Sequence, residues 1–156
     1  MESTPLFPPA SLSDKIIRDK GGLMAEPVFV ALLMADRVIT EDNQKKGIIG
    51  TFTRFTVRQF PALMPPWFIY AAITNISGEH SFSVNLVSDM TQQVIFSAGG
   101  KVNVDDPRRV VELVIQVTNV AFPHQGSYVV LFNIDGQQIG SRVLEVLPPE
   151  EQKPGG

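Results

Sequence analysis

The sequence predicts an all-β fold, an antiparallel two-sheet sandwich of roughly eight strands with an immunoglobulin-like or related Greek-key topology. Alternation of large apolar side chains from Tyr128 to Ile134 is typical of a strand with one buried face. Asp135-Gly136 follows this strand, and both residues readily adopt the positive φ that a two-residue hairpin turn needs. The remaining segments show the same short alternating pattern and almost no helical period.

The strands follow one another in chain order, separated by turn residues. The pattern predicts strands at residues 28–39, 48–57, 67–74, 80–87, 92–97, 110–120, 127–134 and 137–146. Prolines in Phe60-Pro61-Ala62-Leu63-Met64-Pro65-Pro66 remove backbone donors, so residues 58–66 are expected to form a crossing loop. Residues 99–109 are expected to form a second long polar connection. Two such connections favour a sandwich, because they can carry the chain between sheets.

The two ends of the chain differ from the middle in composition. Residues 27–147 are predicted to form the β-sandwich domain, and the proline- and glutamate-rich residues 148–156 to form a disordered tail. Two interpretations of residues 1–26 stay open. They form a flexible arm, or translation starts at Met24 and residues 1–23 are a gene-calling artefact, because Lys20-Gly21-Gly22 can be encoded by a purine-rich stretch resembling a bacterial ribosome-binding site.

Composition narrows the class of protein. A net charge of −3 gives no electrostatic reason to expect nucleic acid or an anionic membrane as a partner. The chain has no cysteine, which excludes disulfides, thiolate metal sites and cysteine nucleophiles. No apolar run is long enough to span a bilayer and no secretory signal is visible, so a cytoplasmic location is expected.

The sequence contains no recognisable catalytic, metal or cofactor motif. His80 and His124 are the two histidines, each more simply interpreted as a structural polar residue than as a catalytic base. They have no zinc-type spacing, and the acidic pairs Glu41-Asp42 and Asp105-Asp106 lie beside cations that reduce any need for a metal. We therefore expect no catalytic residue, no metal and no cofactor.

The aromatic cluster Trp67, Phe68 and Tyr70 is the best candidate binding site. On a strand, Trp67 points to one face and Phe68 and Tyr70 to the other. An exposed pair can stack on a sugar or pack against a partner subunit. The simpler alternative is a strand buried on both faces, since Ala71, Ala72 and Ile73 continue the apolar run.

Two resemblances support the predicted fold. Gly126-Ser127-Tyr128 at a strand start is similar to the tyrosine-corner region of immunoglobulin-like domains, although Val130 stands where their cysteine is usual. The chain from Pro27 to Leu147 also resembles a family of small stand-alone bacterial β-sandwich proteins of unknown function. Its matching motifs are Ala31-Leu32-Leu33-Met34-Ala35-Asp36, Gly47-Ile48-Ile49-Gly50-Thr51-Phe52, Phe60-Pro61, Gly126-Ser127-Tyr128 and Asp135-Gly136.

Three classes of function follow from these observations. The first is a non-catalytic interaction module that binds a protein partner or forms a homo-oligomer through an edge strand, an end loop or an aromatic face. The second is a small-ligand or carbohydrate-binding module that uses Trp67 or Tyr70. The third is an enzyme whose groups, Asp36, His124 and Tyr128 among them, converge only in three dimensions.

Overall fold

The computed structural model describes residues 26–150, and these form strands and connections without a helix. The expectations for residues 1–25 and 151–156 lie outside the described residues. Among residues 26–150, no helix is long and apolar enough to cross a membrane.

Eleven strands form three sheets. In chain order they are β1 Val28–Thr40, β2 Lys46–Phe52, β3 Arg54–Thr56, β4 Ala62–Leu63, β5 Trp67–Thr74, β6 Gly78–Ser88, β7 Val94–Val104, β8 Val111–Val117, β9 Ala121–Phe122, β10 Gly126–Ile134 and β11 Gln137–Leu147. A four-stranded sheet has the order β2-β1-β5-β8, and a five-stranded sheet has the order β3-β11-β10-β6-β7. The short strands β4 and β9 form a ladder of their own. The all-β prediction is therefore confirmed.

The two larger sheets share one hydrophobic core. Inward side chains alternate along each strand, and the fully buried ones include Ile69 and Ile73 of β5 and Val130 and Phe132 of β10. Aromatic rings close one end of this core through edge-to-face contacts between residues of β2, β3, β5, β9 and β10, namely Phe52, Phe55, Trp67, Phe122 and Tyr128.

The closing hairpin has the predicted turn. Ile134 pairs with Gln137, which leaves Asp135 and Gly136 as the two loop residues. Their φ angles are 51° and 81°, both in the left-handed region. The aspartate and glycine found here therefore match what the turn requires.

The predicted strand at residues 48–57 is wrong as a single element. The chain leaves the four-stranded sheet after Phe52 and joins the five-stranded sheet as β3, where it runs parallel to β11. This pairing also corrects the expectation of exclusively antiparallel strands. The switch depends on β11, which lies far along the chain, so the local pattern does not reveal it.

The predicted polar connection at residues 99–109 is shorter than expected, because β7 continues through two glycines to Val104. Gly99 and Gly100 pair with Ser83 and Phe82 of β6. A Cβ on Gly99 would lie 2.7 Å from the Phe82 carbonyl oxygen, and one on Gly100 would lie 3.1 Å from the Phe82 ring. The glycines make room for Phe82 rather than ending the strand.

The predicted crossing loop at residues 58–66 contains one short element. Ala62 and Leu63 form β4 and pair with Phe122 and Ala121 of β9. Phe122 is fully buried, so this small ladder holds the crossing segment against the end of the core.

Candidate functional site

The strand that carries the predicted aromatic cluster lies inside the four-stranded sheet. β5 pairs with β1 on one side and with β8 on the other. Trp67 belongs to the core with 3% of its surface exposed, and its ring centroid lies 5.6 Å from those of Phe52 and Phe55. Phe68 and Tyr70 point to the opposite, outer side. Trp67 therefore offers no stacking surface for a ligand in this fold.

The outer side of the four-stranded sheet is apolar over its central strands. Two cross-strand rows define it, one formed by Leu33, Tyr70 and Val114 and the other by Ala35, Phe68 and Gln116. We call this surface, completed by Ala72, the outer apolar face. Ala35, Ala72 and Tyr70 are buried, Phe68 is half-buried, and Val114 is 40% exposed.

One polar interaction fixes this face. The Tyr70 hydroxyl donates a hydrogen bond to the exposed Glu112 carboxylate of β8. Burial, together with the hydrogen bond to Glu112 and its negative charge, raises the pKa of Tyr70 to about 12. The hydroxyl therefore stays protonated at neutral pH and anchors the ring instead of exchanging protons. Alternation along β8 is enough to predict that Glu112 points to the outer side. Its hydrogen bond to Tyr70 can be predicted only once β8 is known to adjoin β5.

The outer side of the five-stranded sheet combines polar pairs with an apolar row. Asn133 of β10 donates to Ser83 of β6 at 3.1 Å, and Ser97 of β7 donates to Asn85 of β6 at 2.6 Å. These polar pairs suit a face that contacts water. The same side also carries an apolar cross-strand row of Val143, Val129, Val87 and Val94, in which Val143 is 53% and Val94 is 52% exposed, so both large sheets have apolar rows on their outer sides.

Two of the three residues named for the enzyme alternative lie together. The rings of His124 and Tyr128 stack with centroids 5.2 Å apart. The Tyr128 hydroxyl donates to the His124 carbonyl oxygen at 2.6 Å. Asp36 is an exposed residue of β1 whose carboxylate lies beside Gly50 of β2. The three residues therefore do not form one hydrogen-bonded group.

A serine that the sequence pattern did not reveal completes the surroundings of His124. Ser88 Oγ lies 3.0 Å from His124 Nε2, and His124 Nδ1 lies 2.8 Å from the Gln125 carbonyl oxygen. In the neutral ring Nδ1 then carries the proton and Nε2 accepts from Ser88. The serine hydroxyl thus donates its hydrogen bond to the histidine ring, as a catalytic nucleophile does to its general base.

Burial shows why this pair serves the structure. Ser88 has no exposed surface, and its Oγ also accepts the Thr91 N–H at 3.1 Å in the turn before β7. A nucleophile must meet a substrate carbon, which a fully buried hydroxyl cannot do. Ser88 and His124 instead join the turn after β6 to the loop before β10.

His80 lies in a second polar cluster, at the opposite end of β6. Its Nδ1 lies 2.6 Å from an Asp135 carboxylate oxygen, and its Nε2 lies 2.8 Å from the Ser77 carbonyl oxygen. Burial lowers the pKa of His80, but the hydrogen bonds to Asp135 and Ser77 and the Asp135 charge outweigh it, so the pKa is raised. The Asp135 carboxylate also accepts the Ser81 N–H at 2.9 Å. His80 thus ties the turn before β6 to the β10–β11 hairpin.

Most of the sequence matches a known protein family. Residues 30–147 match the model of DUF6941, a family of unknown function. The chain belongs to this family. No functionally curated protein matches it. The expected resemblance to an uncharacterised family is confirmed.

This DUF6941 chain holds no cluster of three metal-binding side chains among its described residues. In the acidic pair that precedes β8, Asp106 accepts from Arg108 Nε at 3.1 Å. The side-chain hydrogen bond from Arg108, with its backbone N–H and its charge, lowers the pKa of Asp106. The Arg108 guanidinium thus occupies the position that a metal ion would take beside the Asp106 carboxylate.

A shallow cleft of about 360 Å³ lies in the DUF6941 chain where β7 passes to β8. Its lining includes Asn103, Asp105, Arg109 and Glu112. All four side chains are exposed, and Glu112 is already bonded to Tyr70. Mixed charges on an open surface give no convergent set of groups for a ligand.

Proposed function

We propose that this chain is a non-catalytic, cytoplasmic bacterial β-sandwich protein with immunoglobulin-like architecture that acts as a macromolecular interaction module. The architectural part is supported by the Tyr128 hydroxyl bonded to the backbone four residues upstream, as in a tyrosine corner. Connections that cross between the two larger sheets support it as well. The functional part rests on the outer apolar face.

The observation that carries the proposal is the position of Phe68. It is an aromatic residue at the centre of a sheet, half-buried on the side away from the core and flanked by Ala35 and Gln116. Val114 extends the same accessible surface, and the buried Tyr70 ring lies between them. Aromatic side chains on a rigid, low-entropy strand are typical of the buried centre of protein interfaces.

The chemistry of this face selects the kind of partner. Glu112 supplies its one carboxylate at the β8 margin, already engaged by Tyr70, and the two rows contain no cation. Arg37, the next outward residue of β1 after Ala35, is a single cation beside the rows, which is too little charge to bind a polyanion such as nucleic acid. The matching surface is a protein patch of aliphatic or aromatic side chains, ringed by polar groups that can contact Gln116 and Glu112.

A small-ligand or carbohydrate-binding module is the second candidate. Half-burial of Phe68 favours it, because one ring face is enough to stack on a sugar. Trp67 and Tyr70 are both buried and would take no part, so stacking would fall to Phe68.

Binding experiments on matched variants of the full chain test the proposal. Phe68→Ser removes the aromatic centre of the face, while Val143→Ser makes a comparable change at a 53%-exposed position of the other sheet. We expect a protein retained from lysate of the native source by wild type and Val143→Ser to be lost with Phe68→Ser. The purified protein should then bind wild type by calorimetry, with at least about tenfold weaker binding to Phe68→Ser.

Two results would contradict the interaction module. Equal retention by both serine variants would exclude the outer apolar face as the binding surface. Wild-type binding to a soluble oligosaccharide that is lost with Phe68→Ser, in the absence of any protein partner, would establish the second candidate instead.

A further inference from the structure

β8 forms an unprotected edge of the four-stranded sheet. Val111 to Val117 pair with β5 on one side, and no described strand pairs with the other side. Alternate residues of an edge strand direct their N–H and C=O groups away from the sheet. β8 therefore presents a free row of backbone donors and acceptors along seven residues.

The other sheet edges in the described part of the chain carry features that hinder pairing with a further strand. β7 contains two glycines and Lys101, and β2 begins with Lys46 and bends at Gly50, whose φ is +72°. β3 has three residues. The half of β1 that β2 leaves unpaired is capped by Arg142, whose Nε donates to the Leu32 carbonyl oxygen at 2.8 Å. Lysines, bends and short strands are the usual means of preventing edge pairing.

β8 has none of these features. Its sequence, Val111-Glu112-Leu113-Val114-Ile115-Gln116-Val117, contains four β-favouring β-branched residues and a leucine, with no proline, glycine or lysine. Val114 is 40% exposed on the outer side. Val111 and Ile115 point inward but are only partly buried against the core. The strand is thus open at its edge and incompletely covered on both faces.

We propose that β8 pairs antiparallel with β8 of a second copy of this chain, about a two-fold axis at Val114. This register uses all seven residues and is self-complementary. It sets Glu112 of one copy opposite Gln116 of the other and Leu113 opposite Ile115, while Val114 meets its own counterpart. No like charges lie opposite each other, and the carboxylate faces an amide that can donate to it.

Shifted registers fit less well. Moving the axis to Leu113 sets Glu112 opposite Val114 and leaves Val117 without a partner from the strand. Moving it to Glu112 places the two carboxylates directly opposite each other, which is unfavourable. The charge pattern of β8 therefore favours the centred register.

The proposed dimer extends a surface already described. Val114 adjoins Tyr70, which adjoins Leu33, so the cross-strand row of one copy continues into the same row of the other. Two four-stranded sheets become one sheet of eight strands with a continuous outer apolar face. This assembly goes beyond the proposed function and does not depend on it.

The oligomeric state of the full chain tests the proposal. Sedimentation equilibrium over a wide concentration range is expected to show a monomer–dimer equilibrium. Val114→Lys sets two lysines opposite each other at the axis and should raise the dissociation constant at least about tenfold. Val94→Lys is the matched control, because Val94 is 52% exposed at the start of β7, on the other sheet, and should leave the equilibrium unchanged.

A charge-swap experiment makes the test specific. Val114→Glu should also dissociate the dimer, whereas an equimolar mixture of Val114→Lys and Val114→Glu should restore it as a heterodimer. Unchanged circular dichroism of each variant shows that loss of the dimer is not loss of the fold. A wild-type chain that is monomeric at every concentration would overturn the proposal, as would a dimer unaffected by Val114→Lys or equally weakened by Val94→Lys.

Discussion

The tyrosine hydroxyl beside β10 gives the sharpest test of the structural argument. Tyr128 has no exposed surface, and its hydroxyl makes two bonds to one backbone residue. It donates to the His124 carbonyl oxygen at 2.6 Å and accepts the His124 N–H at 3.3 Å. Tyr128→Phe removes one oxygen atom and leaves the ring, its stacking on His124 and its packing in place.

The loss of stability in Tyr128→Phe comes from the backbone groups of His124, which lose their hydrogen-bond partner. The His124 carbonyl belongs to a half-buried residue, so the loss of its 2.6 Å bond costs about 1 kcal/mol, while the weaker bond at 3.3 Å adds little. We expect the free energy of unfolding to fall by about 1 kcal/mol. For a domain of this size, that corresponds to a decrease in Tm of about 2–4 °C.

Tyr70→Phe is the matched control, since the chain has two tyrosines and both donate hydrogen bonds. The acceptor of Tyr70 is the exposed carboxylate of Glu112, which water can solvate when the hydroxyl is removed. Its loss is expected to cost less than about 0.5 kcal/mol. Urea unfolding followed by circular dichroism measures both variants. Equal losses in the two, or no loss in Tyr128→Phe, would refute the assigned role of the buried hydroxyl.

Three further predictions follow from separate parts of the fold. Because hydrogen bonds raise the pKa of His80, its bond to Asp135 stabilises the fold fully below pH 6.5, and the benefit is lost as pH rises through the folded-state pKa. Urea unfolding of wild type and His80→Gln should therefore show a stability difference that shrinks as pH rises above 6.5, and a difference that stays constant over that range would contradict this. Gly99→Ala should cost about 1–3 kcal/mol in thermal unfolding, because its Cβ would lie 2.7 Å from the Phe82 carbonyl oxygen. Trp67, the one tryptophan, should emit at the short wavelength of a buried indole and resist quenching by acrylamide, whereas emission near the water limit would place it outside the core.

The sequence predicts a strand and its orientation where one face of the strand is buried and the other is polar. Strand β8 alternates between inward Leu113 and outward Glu112, and the structure confirms that arrangement. The Asp135-Gly136 turn was equally clear, because two residues determine its geometry. In these places residues close together in the chain determine the structure, so the sequence alone is enough to predict it.

The missing information concerns contacts between residues far apart in the chain. Gly99 is strand rather than loop because of Phe82, and His124 gains its partner Ser88 through the packing of two separate turns. β5 is apolar at every position before Thr74, so periodicity could not assign its outward face. The structure assigns Phe68 and Tyr70 to that face through the neighbours of the strand.

The position of β10 and β11 within the five-stranded sheet has a consequence for synthesis of the chain. These two strands separate β3 from β6, so until residues 126–147 have been made β3 has no strand partner and β6 is paired only with β7. A ribosome releases the chain from its N-terminus, and a nascent chain that ends before Gly126 exposes two open edges at once. The protein can therefore complete its five-stranded sheet only after residues 126–147 have left the ribosome, and chains shortened before β10 are expected to aggregate or be degraded.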